Sequence, residues 1–249
     1  MGRLDAYVAV ITGASRGIGR AIALGYAREG ASVVLGGRSE SDLERVAGVV
    51  AAEGGRAWPI AGDVRDETTA RRLVTTAIET FGRLDVLVNN AATWYSKITG
   101  RDFVPLIETE PHVWDEIIET NLRAVYLLTR AALMAMMPQR RGSIINITSR
   151  LAWRAKPGTV PYAVSKAGLD ALTRTLAAEL AGSGIRVNSL GPGGGVDTDF
   201  ISPLAPDRDK LLKPEAIVPA AVYLASDDSA DITGQVIDAL TWNRERGLA

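Results

Sequence analysis

Short, almost wholly apolar runs alternate along this chain with longer segments whose apolar residues return at helical spacing. Ala6 to Thr12 (AYVAVIT) is a run of β-formers, and the stretch from Gly17 to Gly30 carries Ile18, Ala21, Ile22, Gly25 and Tyr26 on one helical face. Ala31 to Leu35 repeats the strand signal. Ser41 and Glu44 then form a capping box ahead of Leu43, Val46, Val49 and Val50. Ala57 to Ala61 reads as a weak strand, Glu67 to Phe81 as a helix, and Leu84 to Asn89 (LDVLVN) as a strong strand. Val113 to Met137 follows as one long helix, Ser143 to Thr148 (SIINIT) as strand, Pro161 to Leu180 as helix, and Ile185 to Leu190 as strand. Pro214 to Ala225 is a helix whose start Pro219 delays or kinks, and Gln235 to Leu240 is a last strand. Apolar strands separated by helices predict an α/β fold, a Rossmann-like doubly wound parallel sheet with helices on both faces. With no linker-like stretch, residues 1–249 read as a single domain.

In such a sheet, ligands bind beyond the carboxyl ends of the strands. The first strand runs into Thr12-Gly13-Ala14-Ser15-Arg16-Gly17-Ile18-Gly19 at the start of a helix. The glycines allow a tight turn and close backbone approach, so the helix-start N–H groups can hold a pyrophosphate. The second strand ends at Gly36-Gly37-Arg38 with no carboxylate to take a ribose hydroxyl. Arg38 and Arg16 can instead pair with a 2′-phosphate, which favours NADP (NADPH) over NAD. Gly62-Asp63-Val64 and Asn89-Asn90-Ala91-Ala92 close the next two strands with polar residues that, taken singly, are ordinary turn formers.

The strongest constellation comes after the fifth strand. Ser149 closes it, and Tyr162 and Lys166 follow four residues apart. On a helix that spacing puts both on one face, so the ammonium is expected to lower the phenol's pKa toward a range useful for acid/base chemistry. Ser149 offers a second hydrogen bond to a substrate oxygen.

Composition narrows the chemistry further. The 249 residues hold no cysteine and a single histidine, His112. That removes disulfides, thiolate nucleophiles and multi-histidine zinc sites, so no metal is expected. A net charge of −1 gives no field to draw nucleic acid or an anionic membrane. No run of about 18 apolar residues predicts a membrane span, and no signal layout opens the chain. A cytoplasmic location is the expectation.

With TGASRGIG, NNAA, ITS at Ser149, YAVSK at Tyr162, GPG at Gly191 and ITGQVI near the C-terminus, the chain resembles the short-chain dehydrogenase/reductases over nearly its whole length. The resemblance implies a catalytic tetrad of Asn121, Ser149, Tyr162 and Lys166, with Asn121 helping to hold a water that links Lys166 to solvent. It implies cofactor contacts at Gly13, Ser15, Arg16, Gly17, Ile18, Gly19 and Arg38, at Asp63 and Val64 beside the adenine, and at Asn89 and Ala91. Tyr162 and Lys166, the Pro192-Gly193 turn, and Val196 and Thr198 complete that implied set. The implied reaction is hydride transfer between a nicotinamide and a small-molecule carbonyl or alcohol. Homotetramers or homodimers are implied through the Val113–Met137 and Pro161–Leu180 segments.

The chain departs from that pattern in places. NNAA puts Ala92 where the family commonly has glycine, and the Gly193-Gly194-Gly195 run makes the following turn one residue longer. The segment from Thr198 to Pro214 is short, whereas Ala92 to Val113 is long, so Trp94, Tyr95, Leu151 and Trp153 become candidate walls of the substrate pocket. Arg150, Arg154 and Lys156 beside Ser149 either attract an acidic substrate or form a solvated basic loop. A 3-oxoacyl thioester reductase is the alternative enzyme, against which Ser183 stands where carrier-protein ketoacyl reductases have arginine. A catalytically silent NADP-binding sensor is the alternative from another class.

Overall fold

The computed structural model describes residues 2–200 and 208–248. Seven strands form one parallel sheet in the order β3-β2-β1-β4-β5-β6-β7. In chain order the first half runs β1 (Val8–Thr12), α1 (Gly17–Arg28), β2 (Ser32–Gly37), α2 (Glu40–Ala52), β3 (Arg56–Ala61), α3 (Glu67–Phe81) and β4 (Val86–Asn89). The second half runs α4 (Tyr95–Thr99), α5 (Pro111–Ile118), α6 (Ala124–Gln139), β5 (Gly142–Ile147), α7 (Val160–Glu179), β6 (Ile185–Gly191), α8 (Val218–Ala225), β7 (Val236–Asp238) and α9 (Ala239–Glu245).

Successive residues of a strand face opposite sides of the sheet, and here both sides are covered. Ala9 and Ile11 of β1 point into a core built with Ile22 of α1, Leu43 of α2 and Leu224 of α8. Val8 and Val10 point into a second core with Leu73 of α3, Leu128 of α6 and Ala177 of α7. Strand order reverses between β1 and β4, which opens the crevice at their carboxyl ends.

Three local expectations are corrected. The capping residue of α2 is Ser39, whose hydroxyl accepts from Asp42 N at 3.4 Å, so Ser41 already lies inside the helix. The segment from Val113 to Met137 is not one regular helix: a π-helical turn at Glu119–Arg123 separates α5 from α6. Asn121 sits in that turn, pulled inward by hydrogen bonds to Thr93 and Ser165. The last strand stops at Asp238, because the Asp238 carboxylate accepts from Thr241 N at 3.0 Å and starts α9. Pro219 falls in the first turn of α8, where a missing N–H costs nothing, and a 3₁₀ turn at Pro214–Ile217 precedes it.

Candidate functional site

The glycine loop between β1 and α1 owes its shape to what lies beside it. Gly13 has φ +64°, and a Cβ there would stand 2.8 Å from Asn90 Nδ2. At Gly19 a Cβ would stand 2.3 Å from the Gly13 carbonyl oxygen, so only glycine lets the helix start against the strand end. Asn90 donates to the carbonyls of Thr12 and Gly13, and the Thr12 hydroxyl accepts from the Asn90 and Ala91 amides, which ties the loop to the end of β4. No side chain caps the N-terminus of α1. Its first N–H groups and positive dipole end are therefore left for an anion. A phosphate-bearing dinucleotide fits this cradle.

A cavity of about 1040 Å³ runs from this loop across the carboxyl ends of the strands. Gly13, Ser15, Arg16, Gly17 and Ile18 line one stretch; Arg38, Asp63 and Val64 line another. Ala91, Pro192, Val196 and Thr198 also reach the wall, as does Ala92. Gly19, Asn89 and Gly193 are not on it. Gly19 packs behind the loop, Asn89 donates to Asn146 and Thr129 inside the molecule, and Gly193 approaches Leu240 and Asp238. The longer turn after β6 is held by a bridge between Val196 and Leu212, and Thr198 packs against Gly17. Of the short segment after Thr198, residues 201–207 lie outside the described residues.

The two arginines differ. Arg16, also on the cavity wall, pairs with Asp199 at 3.1 Å, both side chains more than half exposed. Arg38 is exposed on the wall near Asp63, which Arg65 grips with contacts of 2.6–3.1 Å. The Arg65 guanidinium holds the Asp63 carboxyl below its usual range.

Tyr162, Lys166 and Ser149 meet on the opposite wall. Lys166 Nζ lies 5.7 Å from the Tyr162 ring centroid and donates to the Ile147 carbonyl at 2.7 Å. The expected drop in the tyrosine pKa is not what the geometry produces. Burial pushes the phenol up to about 12, and the hydrogen bond with Ser149 offsets only part of this. Burial brings Lys166 down to about 8, against the opposing charge of Asp170. Desolvation outweighs the cation's pull because the ammonium is anchored to the strand rather than to the hydroxyl. Asn121 is fully buried, and its amide is occupied: Nδ2 donates to Thr93 O and Ser165 Oγ, and Oδ1 accepts from Thr93 N.

Trp94 and Leu151 line the cavity as expected, with Trp94 edge-on to Tyr162 at 4.6 Å between ring centroids. Tyr95 and Trp153 do not line it. Tyr95 is buried in a small core with Val104, Val113 and Ile117 that holds down the long segment after β4, and Trp153 points outward. Phe103 and Phe200 supply walls that the sequence reading did not name. It also missed a buried polar chain beneath the site: Asn89 donates to Asn146, Asn146 to Thr173, and Thr173 shares a hydrogen bond with Ser189. Asp170 is buried close by, and burial pushes its carboxyl up. The signal was present as an asparagine inside the apolar SIINIT and a carboxylate one turn beyond Lys166.

A family model described as short chain dehydrogenase matches residues 7–209. The chain belongs to the short-chain dehydrogenase family. It is accordingly an oxidoreductase that acts on CH–OH or C=O groups with a nicotinamide cofactor. Among curated relatives, a 3-oxoacyl-[acyl-carrier-protein] reductase of Thermotoga maritima is 39% identical, over 94% of this chain and 96% of its own. The corresponding reductase of Synechocystis is 36% identical, over 100% and 99%. Among solved structures, a putative NAD(P)-dependent gluconate 5-dehydrogenase from Beutenbergia cavernae with bound NADP superposes with a TM-score of 0.85 at 36% identity, covering 95% and 96%. A putative short-chain alcohol dehydrogenase from Sinorhizobium meliloti gives 0.86 at 35%, covering 95% of each chain. Among the described residues of this family member, no helix is long and apolar enough to cross a membrane.

Proposed function

We propose that this chain is an NADP-dependent reductase of ketones, or dehydrogenase of secondary alcohols, with residues 1–249 acting as one cytoplasmic unit. The observation that carries it is the shared cavity: Tyr162, Ser149 and Lys166 stand on one wall, and the glycine loop, Asp63 and Arg38 on another. When bound, the nicotinamide gives or takes the hydride. Everything else is the work of side chains.

In reduction, Tyr162 donates its phenolic proton to the carbonyl oxygen as that oxygen gains charge; in oxidation it takes the hydroxyl proton back. A phenol held at about 12 keeps its proton at neutral pH, the form that reduction needs. The Ser149 hydroxyl donates to the same oxygen, where a preorganised donor contributes most as charge develops. Lys166 supplies a nearby positive charge that stabilises the phenolate left behind. Asn121 serves as a positioning residue: its amide engages Thr93 and Ser165 and so fixes the turn that carries it beside the site. The α1 N-terminus would hold the pyrophosphate, and the residues implied by resemblance, Val64, Ala91, Pro192, Val196 and Thr198, would flank the rest.

The NADP preference rests on Arg38, since β2 ends in Gly36-Gly37-Arg38 with no carboxylate there for a ribose, and the nearby Asp63 is engaged by Arg65. Self-association as a homotetramer or homodimer is supported by Tyr126, Met134 and Met137 of α6 and Val160 and Val164 of α7, all exposed. The alternative, a 3-oxoacyl thioester reductase, is favoured by the names of the curated relatives.

Titration with NADPH and NADH by nicotinamide fluorescence, followed by a panel of ketones and acyl thioesters, tests these readings. NADPH should bind at least about tenfold tighter than NADH. Tyr162→Phe should keep NADPH binding and lose roughly 10²–10⁴-fold in turnover. Equal or tighter NADH binding removes the Arg38 argument, and turnover of thioesters alone selects the alternative.

A further inference from the structure

Two segments outside the tetrad close over the substrate end of the cavity, and both carry positive charge. Lys97 of α4 lines the wall, as do Arg150, Arg154 and Lys156 of the loop after β5. Arg150 is neutralised by Asp238 at 2.8 Å. Among the described residues, Lys97, Arg154 and Lys156 have no ion-pair partner. Lys156 Nζ stands 4.0 Å from the Phe103 ring centroid, a contact that orients the ammonium without cancelling its charge.

The backbone under these charges is fixed. Arg154 N donates to Arg150 O at 2.8 Å, and the Thr159 hydroxyl donates to Lys156 O at 2.7 Å. Val104 N donates to Gly158 O at 3.1 Å, which clasps the two segments together. Gly158 has φ +76°, and a Cβ there would lie 2.9 Å from Phe103 Cβ, so this approach needs glycine. Of the carboxylates on this part of the wall, Glu116 faces Arg65, which leaves Asp102 to oppose three cations. Inward from Lys156 the wall turns aromatic, from Phe103 to Trp94 at 6.0 Å and from Trp94 to Tyr162 at 4.6 Å.

We propose that the substrate is a small ketone or secondary alcohol with an anionic group, a carboxylate or phosphate, remote from the reacting carbon, and that Lys97, Arg154 and Lys156 bind that group. This rests on the reductase reading above and names its substrate class. A cleft with an excess of one sign of charge attracts ligands of the other sign, and a bound anion relieves the mutual repulsion of the three cations. The apolar rings between the cations and Tyr162 take the part of the substrate in between.

The test compares 4-oxo and 5-oxo carboxylic acids with their methyl esters, a phosphate-bearing ketone with its unphosphorylated hydroxyketone, and a carrier-protein 3-oxoacyl thioester, all with NADPH. An acid or the phosphate should exceed its neutral counterpart at least about tenfold in kcat/KM, and the better of the two identifies the anion. Arg154→Gln and Lys156→Gln should each raise KM for that substrate roughly fivefold or more, with kcat nearly unchanged and the ester unaffected. The preference should fade with added salt. Equal rates for acid, phosphate and ester overturn the proposal and leave the reductase reading intact, as do variants that slow acid and ester alike. Turnover confined to the carrier thioester overturns it in favour of a macromolecular donor. No NADPH oxidation with any carbonyl overturns both readings.

Discussion

At the scale of single residues, the site is governed by burial more than by charge pairing. Tyr162 and Lys166 are pushed in opposite directions by the same cause, loss of water around their charged forms. The Asp170 charge opposes this at Lys166, and it lies buried a helical turn away. Its negative charge favours the protonated ammonium, so removing it lowers the pKa of Lys166. The pH profile of kcat/KM for ketone reduction should fall as pH rises through about 8, where Lys166 loses its proton. Asp170→Asn should move that alkaline limb down by roughly one pH unit, whereas a purely structural role would lower the rate without moving the limb. Asn121 came only from the family resemblance, whereas Ser149, Tyr162, Lys166 and the glycine loop were legible in residue type and spacing. Phe103, Phe200 and the Asn146–Thr173–Ser189 chain were not, because they come together from separate strands and loops.

At the scale of elements, strand and helix periods predicted every strand and the main helices, with shifts of a few residues at their ends. The misreadings trace to side chains that bond the backbone or each other outside the periodic pattern, Asn121 to partners distant in sequence, Ser39 and Asp238 as helix caps to amides three residues on. Asn121 breaks a helix because Thr93 and Ser165 draw it in, and Asp238 ends a strand because it caps the next helix. A further example lies at the amino-terminal edge of the sheet. Asp85 is buried, accepts from Val8 N at 2.9 Å, and pairs with Arg83 at 2.6 Å and Arg141 at 3.5 Å. It joins β1 to β4 away from the cavity. Asp85→Ala leaves that amide without its acceptor and should destabilise the fold by roughly 3 kcal/mol, read as a lower midpoint in urea with an unchanged slope. Cofactor affinity of the folded fraction should stay the same; a weakened affinity would mean that this edge is coupled to the site.

At the scale of the whole molecule, one sheet with a core on each face delivers the ends of β1, β4, β5 and β6 to a single crevice. The outer surface of α6 leaves Met134 and Tyr126 exposed, 75% and 52%, which a lone chain has no packing reason to do. Met134→Glu combined with Tyr126→Lys should shift the oligomer toward monomer in sedimentation velocity while leaving the secondary structure intact. A native chain that already sediments as a monomer would remove the proposed assembly.

The sequence by itself determined the alternation of elements, the parallel sheet, the glycine turn and the Ser149, Tyr162 and Lys166 set. These are encoded by periodicity and by residue types at fixed spacing, which are local properties. Only the tertiary structure decided which polar groups are desolvated, that Arg16 meets Asp199 while Asp63 meets Arg65, and that Lys97 faces the same space as Arg154 and Lys156. Burial and charge pairing depend on neighbours that the chain brings together by folding, and no local pattern names them.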